Sequence, residues 1–123
     1  MATLYRSMKS DDDGLPLCGP SARTLGVRLD GDLPISDAGF VMPETGGMSV
    51  ALDDPMHLPP HRRPARFKGW GQDPVWQIEE EDLPDWLLLR ADPRNPTGHG
   101  FVEPRQPMRL GDYQNALATS RGR

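Results

Sequence analysis

Apolar residues in this chain come in short runs, and one of these alternates with small residues at period two. Met48, Val50 and Leu52 alternate with Ser49 and Ala51, which predicts a strand with one apolar face. Thr45-Gly46-Gly47 leads into it, and the small side chains of Ser49 and Ala51 leave the opposite face open to close approach. Thr3-Leu4-Tyr5-Arg6 reads as a first strand ending on an arginine. Val75-Trp76-Gln77-Ile78 and Trp86-Leu87-Leu88-Leu89 are rich in β-branched, aromatic and aliphatic residues and read as strands. Asp92-Pro93-Arg94-Asn95-Pro96 turns the chain back into Thr97-Gly98-His99-Gly100-Phe101-Val102-Glu103-Pro104, a strand expected to pair antiparallel with its predecessor. Helical period appears once, near the end: Leu110, Tyr113 and Leu117 fall at i, i+3 and i+7 with Ala116 beside them. Arg109 is a poor N-cap for that helix, Gly111 weakens its first turn, and Arg121 and Arg123 suit its C-terminus.

Between these segments the chain is punctuated by breakers. Residues 15–45 carry Gly19-Pro20, Asp30-Gly31-Asp32 and Leu33-Pro34, and read as loop apart from one helical turn at Ser21-Ala22-Arg23-Thr24-Leu25, capped by Gly26. Leu58-Pro59-Pro60-His61-Arg62-Arg63-Pro64 is expected to be non-helical, and Gly69-Trp70-Gly71 to be a turn with an aromatic at its tip. The expected class is α+β: an antiparallel sheet with few short helices and long loops.

Composition narrows this. A length of 123 residues predicts one domain, 1–123. Glycine and proline, 13 and 14 residues, make up about a fifth of the chain, short of low complexity. The net charge of −4 argues against a general nucleic-acid binder. Its distribution is uneven: Asp11-Asp12-Asp13 and Glu79-Glu80-Glu81-Asp82 are acidic, and His61 to Lys68 is basic. Cys18 is the only cysteine, so neither a disulfide framework nor a cysteine-rich zinc site is expected. His57 and His61 have the spacing of a helical metal pair, but Pro59 and Pro60 intervene, so no metal is expected. No signal peptide or membrane-spanning run is read. The protein is expected to be made in the cytoplasm, with export into a target cell without a cleaved signal left open.

The candidate chemistry lies in residues that are weak one at a time. Arg6 ends the first strand, Ser49 follows a Gly-Gly entry, and His99 and Glu103 stand four apart on a late strand. Arginine, serine and glutamate in that order suit handling of the ADP-ribose unit of NAD. An arginine fork holds a phosphate or ribose. A small serine strand lets nicotinamide pack on backbone. A carboxylate stabilises the oxocarbenium-like cation as nicotinamide leaves, as in glycosidases. His99 and Glu103 would share a strand face about 13 Å apart, too far for a dyad and suited to a long, two-ended ligand.

Four stretches together resemble the Tse-two family of small bacterial toxins delivered by type VI secretion. They are Leu4-Tyr5-Arg6, Thr45-Gly46-Gly47-Met48-Ser49-Val50, His99 followed by Pro104, and Pro107-Met108 leading into the helix from Tyr113 to Leu117. The resemblance implies an ADP-ribosyltransferase-like split antiparallel sheet with a dinucleotide-sized cleft. It also implies NAD as substrate, toxicity in bacterial competition, and a cognate immunity protein as partner. Family positions match at Ser49, Arg6 and His99. The chain departs from the family's prototype at Met48, where that toxin has threonine, and at Glu103, where it has an apolar residue. In this reading Glu103, His99 and Ser49 are catalytic, while Arg6, Tyr5, Gly47, Ser49 and Trp70 bind NAD, with Trp70 stacking on a ring. Two other readings stay open: a metal-independent ribonuclease toxin using His57, His61 and His99 as acid and base, and a non-enzymatic binding toxin.

Overall fold

The computed structural model describes residues 1–27 and 39–120. Five strands form one antiparallel sheet: β1 (Thr3–Ser7), β3 (Met48–Leu52), β4 (Val75–Glu79), β5 (Leu87–Ala91) and β6 (His99–Pro104), in the order β4-β1-β3-β6-β5. Two short strands, β2 (Phe40–Val41) and β7 (Met108–Arg109), pair separately and lead into the helix α1 (Leu110–Ala118). The class is mixed α+β, with antiparallel pairing in both sheets.

Register explains the core. Leu4 lies opposite both Leu52 and Ile78, Met48 opposite Val102, and Val102 opposite Leu89. Side chains alternate across a strand, so these apolar positions share one sheet face. That face packs with Tyr113, Ala116 and Leu117 of α1 in a single buried cluster. The Tyr113 hydroxyl also donates to Val102 O and accepts from Met48 N, tying helix to sheet at β3 and β6. Gly47 is needed there: a Cβ on it would stand 2.4 Å from Val102 O and 2.7 Å from the Tyr113 hydroxyl.

β1 and β3 pair only through Leu4 with Leu52 and Tyr5 with Ala51. Beyond that point they part. Arg6 fills the gap, and its guanidinium donates to Ser49 O at 2.7 Å across it.

Several expectations need correcting in detail. Ser21–Leu25 forms no helical turn. It makes a single turn, closed by Thr24 N donating to Ser21 O, that does not continue as helix, and the carbonyls of Ser21, Ala22 and Thr24 accept from the Arg6 guanidinium. The proline-rich segment is not α-helical, but it holds a single 3₁₀ turn, Pro60–Arg62, between two others, Pro55–His57 and Ala65–Phe67. A proline at the first position of a turn loses no hydrogen bond there, which is why prolines start two of them. β5 begins at Leu87, one residue after Trp86, which is 67% exposed, and runs on to Ala91. β6 begins at His99, because Thr97 and Gly98 belong to the turn. α1 starts where its periodicity places it, with no capping bond from Arg109. The expected turns at Asp30-Gly31-Asp32 and Leu33-Pro34, and Arg121 and Arg123, lie outside the described residues. No described helix is long and apolar enough to cross a membrane.

Candidate functional site

A cavity of about 190 Å³ opens where β1 and β3 part. Its floor and walls come from Arg6 and Ser7 of β1, Ser49 to Ala51 of β3 and His99 of β6. Its roof is the 3₁₀ segment, through His57, Leu58, Pro59 and Arg62. It is smaller than the ~300–1,000 Å³ usual for a whole drug-sized ligand, so it suits one part of a longer molecule.

Three of the residues singled out in the sequence, Arg6, Ser49 and His99, meet here. Arg6 is only 6% exposed. Its Nε and terminal nitrogens donate to the carbonyls of Thr24, Ser49, Ser21, Ala22 and Gly26. Its charge therefore stands at the back of the cavity while its hydrogen atoms hold the surrounding backbone. Ser49 follows β3's alternation onto the face away from α1. His99 is one-third exposed, and its Nδ1 bonds Asp92 Oδ2 at 2.8 Å. The carboxylate fixes Nδ1 as the protonated nitrogen, so Nε2 is the one left to meet a ligand. Phe101 braces the ring edge-on at 4.8 Å. Asp92 is itself oriented by the Arg94 amide at 2.9 Å. That amide first, and His99 second, hold the Asp92 carboxyl below its ordinary range.

The other predicted residues are elsewhere. Glu103 shares the strand face of His99, but Phe101 stands between them with Arg90 5.3 Å over its ring. Glu103 is 1% exposed and closed in by partners. Arg90 reaches it through Nε at 3.0 and 2.9 Å and through a terminal nitrogen at 2.8 Å. It also accepts from Glu44 N at 3.1 Å and Gly46 N at 3.0 Å. Glu103 thus fastens the turn that delivers β3, and it does not line the cavity. The guanidinium of Arg90 is raised above its ordinary pKa, chiefly by this hydrogen bond. Gly47 is buried against Tyr113, Tyr5 lies half-buried outside the cavity lining, and Trp70 is 71% exposed. The Gly69-Trp70-Gly71 turn braces the roof. Trp70 N and Gly71 N donate to Pro60 O and Arg63 O, and a Cβ on Gly69 would fall 2.3 Å from Arg63 O.

Sequence reasoning missed Asp92 as the partner of His99; it had His57 as an acid–base candidate of the ribonuclease reading and Arg62 within a basic run, but did not place either over this cavity. Asp92 opens the turn between two predicted strands, which is a readable hint. Nothing local points to His57, whose Nδ1–H donates to Leu52 O at 2.7 Å. His61 does not line the cavity. Among the described residues no group of three His, Cys, Asp or Glu is placed to hold a metal ion.

The bend that supplies carbonyls to Arg6 is stapled by Arg23 to Asp73 at 2.6 and 2.8 Å. Hydrogen bonding to Arg23 holds the Asp73 carboxyl below its ordinary value. A folded pKa below the unfolded value, about 3.9, adds stability above that value, and this is lost as pH falls through the folded one. In acid titrations followed by circular dichroism, Asp73→Asn should start less stable at pH 6 and lose less than the wild type between pH 5 and 2.5.

The chain matches no protein-family model, no curated protein and no solved structure.

Proposed function

We propose that the cavity between β1 and β3 binds NAD, and that the protein is a toxin of the ADP-ribosyltransferase-like kind that splits nicotinamide from ribose. The observation that carries this reading is the convergence of Arg6, Ser49 and His99 from three strands on one cavity at a gap in the sheet. The same three are the functional positions that the family resemblance implies. A split in an antiparallel sheet lets a flat ring lie against strand backbone, and the small side chains of Ser49 and Ala51 leave room for it.

In the proposed reaction the bond between ribose C1′ and the nicotinamide nitrogen breaks, and its electron pair leaves on neutral nicotinamide. The ribosyl cation is captured by water or by an acceptor hydroxyl, whose proton goes to His99 Nε2. Asp92 orients the ring and stabilises the imidazolium that forms. Glu103 has no part in this scheme, because its oxygens are held by Arg90 and two amides. A cognate immunity protein, in this reading, neutralises the toxin by covering the cavity mouth.

Purified protein should release nicotinamide from NAD or label a bacterial lysate with ADP-ribose. If folded, toxic protein does neither, the reaction is misassigned. A second reading has one observation in its favour: His57 and His99 both line the cavity with Nδ1 already committed. Two such imidazoles can serve as acid and base in RNA cleavage. That reading requires chelator-resistant RNA cleavage lost in both His57→Ala and His99→Ala.

A further inference from the structure

The polar lining of the cavity is one-sided in charge. Arg6, His57, Arg62 and His99 line it, and among the described residues no aspartate or glutamate does. The chain as a whole carries −4, so a cationic cavity is not a by-product of overall composition. The groups differ in what they have left to give. Arg6 is wrapped in backbone carbonyls, and His99 is paired with Asp92. Arg62 has no side-chain hydrogen bond or ion pair among the described residues, although Asp73 is near enough to feel its charge. His57 has Nδ1–H committed to Leu52 O, which leaves Nε2 to meet a ligand. Arg62 and His57 come from adjacent 3₁₀ turns, joined by Leu58 and Pro59, which also line the cavity. The Gly69–Gly71 turn holds the second of these turns through Pro60 O.

We propose that Arg62 and His57 form an anion subsite in the roof of the cavity that takes a diphosphate group. A guanidinium with donors to spare and an imidazole whose free Nε2 takes up a proton as the anion binds are a pair that phosphate oxygens can bridge. This deepens the NAD reading and rests on it for the ligand's identity. The nicotinamide ribose lies on the Ser49–His99 floor, and the diphosphate that follows it lies under the roof. The basic stretch from His61 to Lys68, which in sequence can be either a solvated loop or an anion clamp, thereby contributes Arg62 to the site through the fold of the turns.

The test is titration of the full-length chain with inorganic pyrophosphate and, separately, with NAD, followed by calorimetry and by the His57 ring resonances. Pyrophosphate should bind one-to-one and shift the His57 signals. Arg62→Ala and His57→Gln should each weaken it at least tenfold, with unchanged circular dichroism. Absence of pyrophosphate binding, or binding indifferent to both substitutions, overturns the subsite. If NAD binds normally to both variants, the subsite is wrong and the NAD reading stands. If pyrophosphate responds as expected but NAD does not bind, the subsite stands and the NAD reading fails.

Discussion

Replacing Glu103 by alanine should destabilise the protein by about 3 kcal/mol, the sum expected for leaving two buried amides and a guanidinium without their acceptor. The loss should appear as a lower midpoint in urea and a lower Tm. Glu44 and Gly46 give their N–H groups to this carboxylate, and Glu44 sits at φ 63°. A left-handed backbone at a non-glycine residue is unfavourable by itself, so the turn depends on an anchor. Arg90 is only one-quarter exposed and loses its ion-pair partner. Out of a total stability of about 5–15 kcal/mol for a domain of this kind, such a loss leaves a partly unfolded population at 37 °C. Glu103→Gln keeps an acceptor oxygen and the shape, and should lose less than half as much. If Glu103→Ala were as stable as the wild type yet inactive, the carboxylate would be a chemical group after all and the structural assignment would fail.

His99→Ala should give the opposite profile. One-third exposed on the cavity wall, the ring contributes little burial, so Tm should change by no more than a few degrees. Nicotinamide release should fall by about 10²–10⁴-fold, the usual worth of a positioned general base. Asp92→Asn should give a smaller loss in the same assay, because it leaves the imidazole in place and removes what fixes its tautomer. Equal losses of stability and activity in His99→Ala would mean that the ring serves the fold alone.

Much of the fold was legible because sheet formation follows period-two patterning closely. Met48, Val50 and Leu52 face the core as their alternation requires, and Ser49 and Ala51 face the cavity. Leu110, Tyr113, Ala116 and Leu117 likewise place the helix. The two-residue strands Phe40–Val41 and Met108–Arg109 were not legible, since two residues carry no period. The 3₁₀ turns are not legible from proline as a breaker of α-helices, because a single turn can begin on a proline.

The site was half legible, and the boundary has a physical cause. Arg6, Ser49 and His99 lie on strands, where alternation fixes which way a side chain points. Glu103 lies on a strand too, and its face was read correctly. Its partner is less legible: Arg90 ends the apolar run Leu87-Leu88-Leu89 and stands diagonal to Glu103 across the strand pair, with Leu88 directly opposite the carboxylate. His57 and Arg62 reach the cavity only through the path of three consecutive turns and the close approach of Gly69 and Gly71. That depends on tertiary contact, which no local pattern encodes.

The central claim is that the gap between β1 and β3 is where NAD binds. Its most direct test is an NAD titration of isotope-labelled protein, following backbone amides and histidine rings together. Saturable changes centred on Ser49, Val50, Ala51 and the His99 ring, absent in His99→Ala, are the predicted result. No change at millimolar NAD, or changes centred away from the β1–β3 gap, would contradict it.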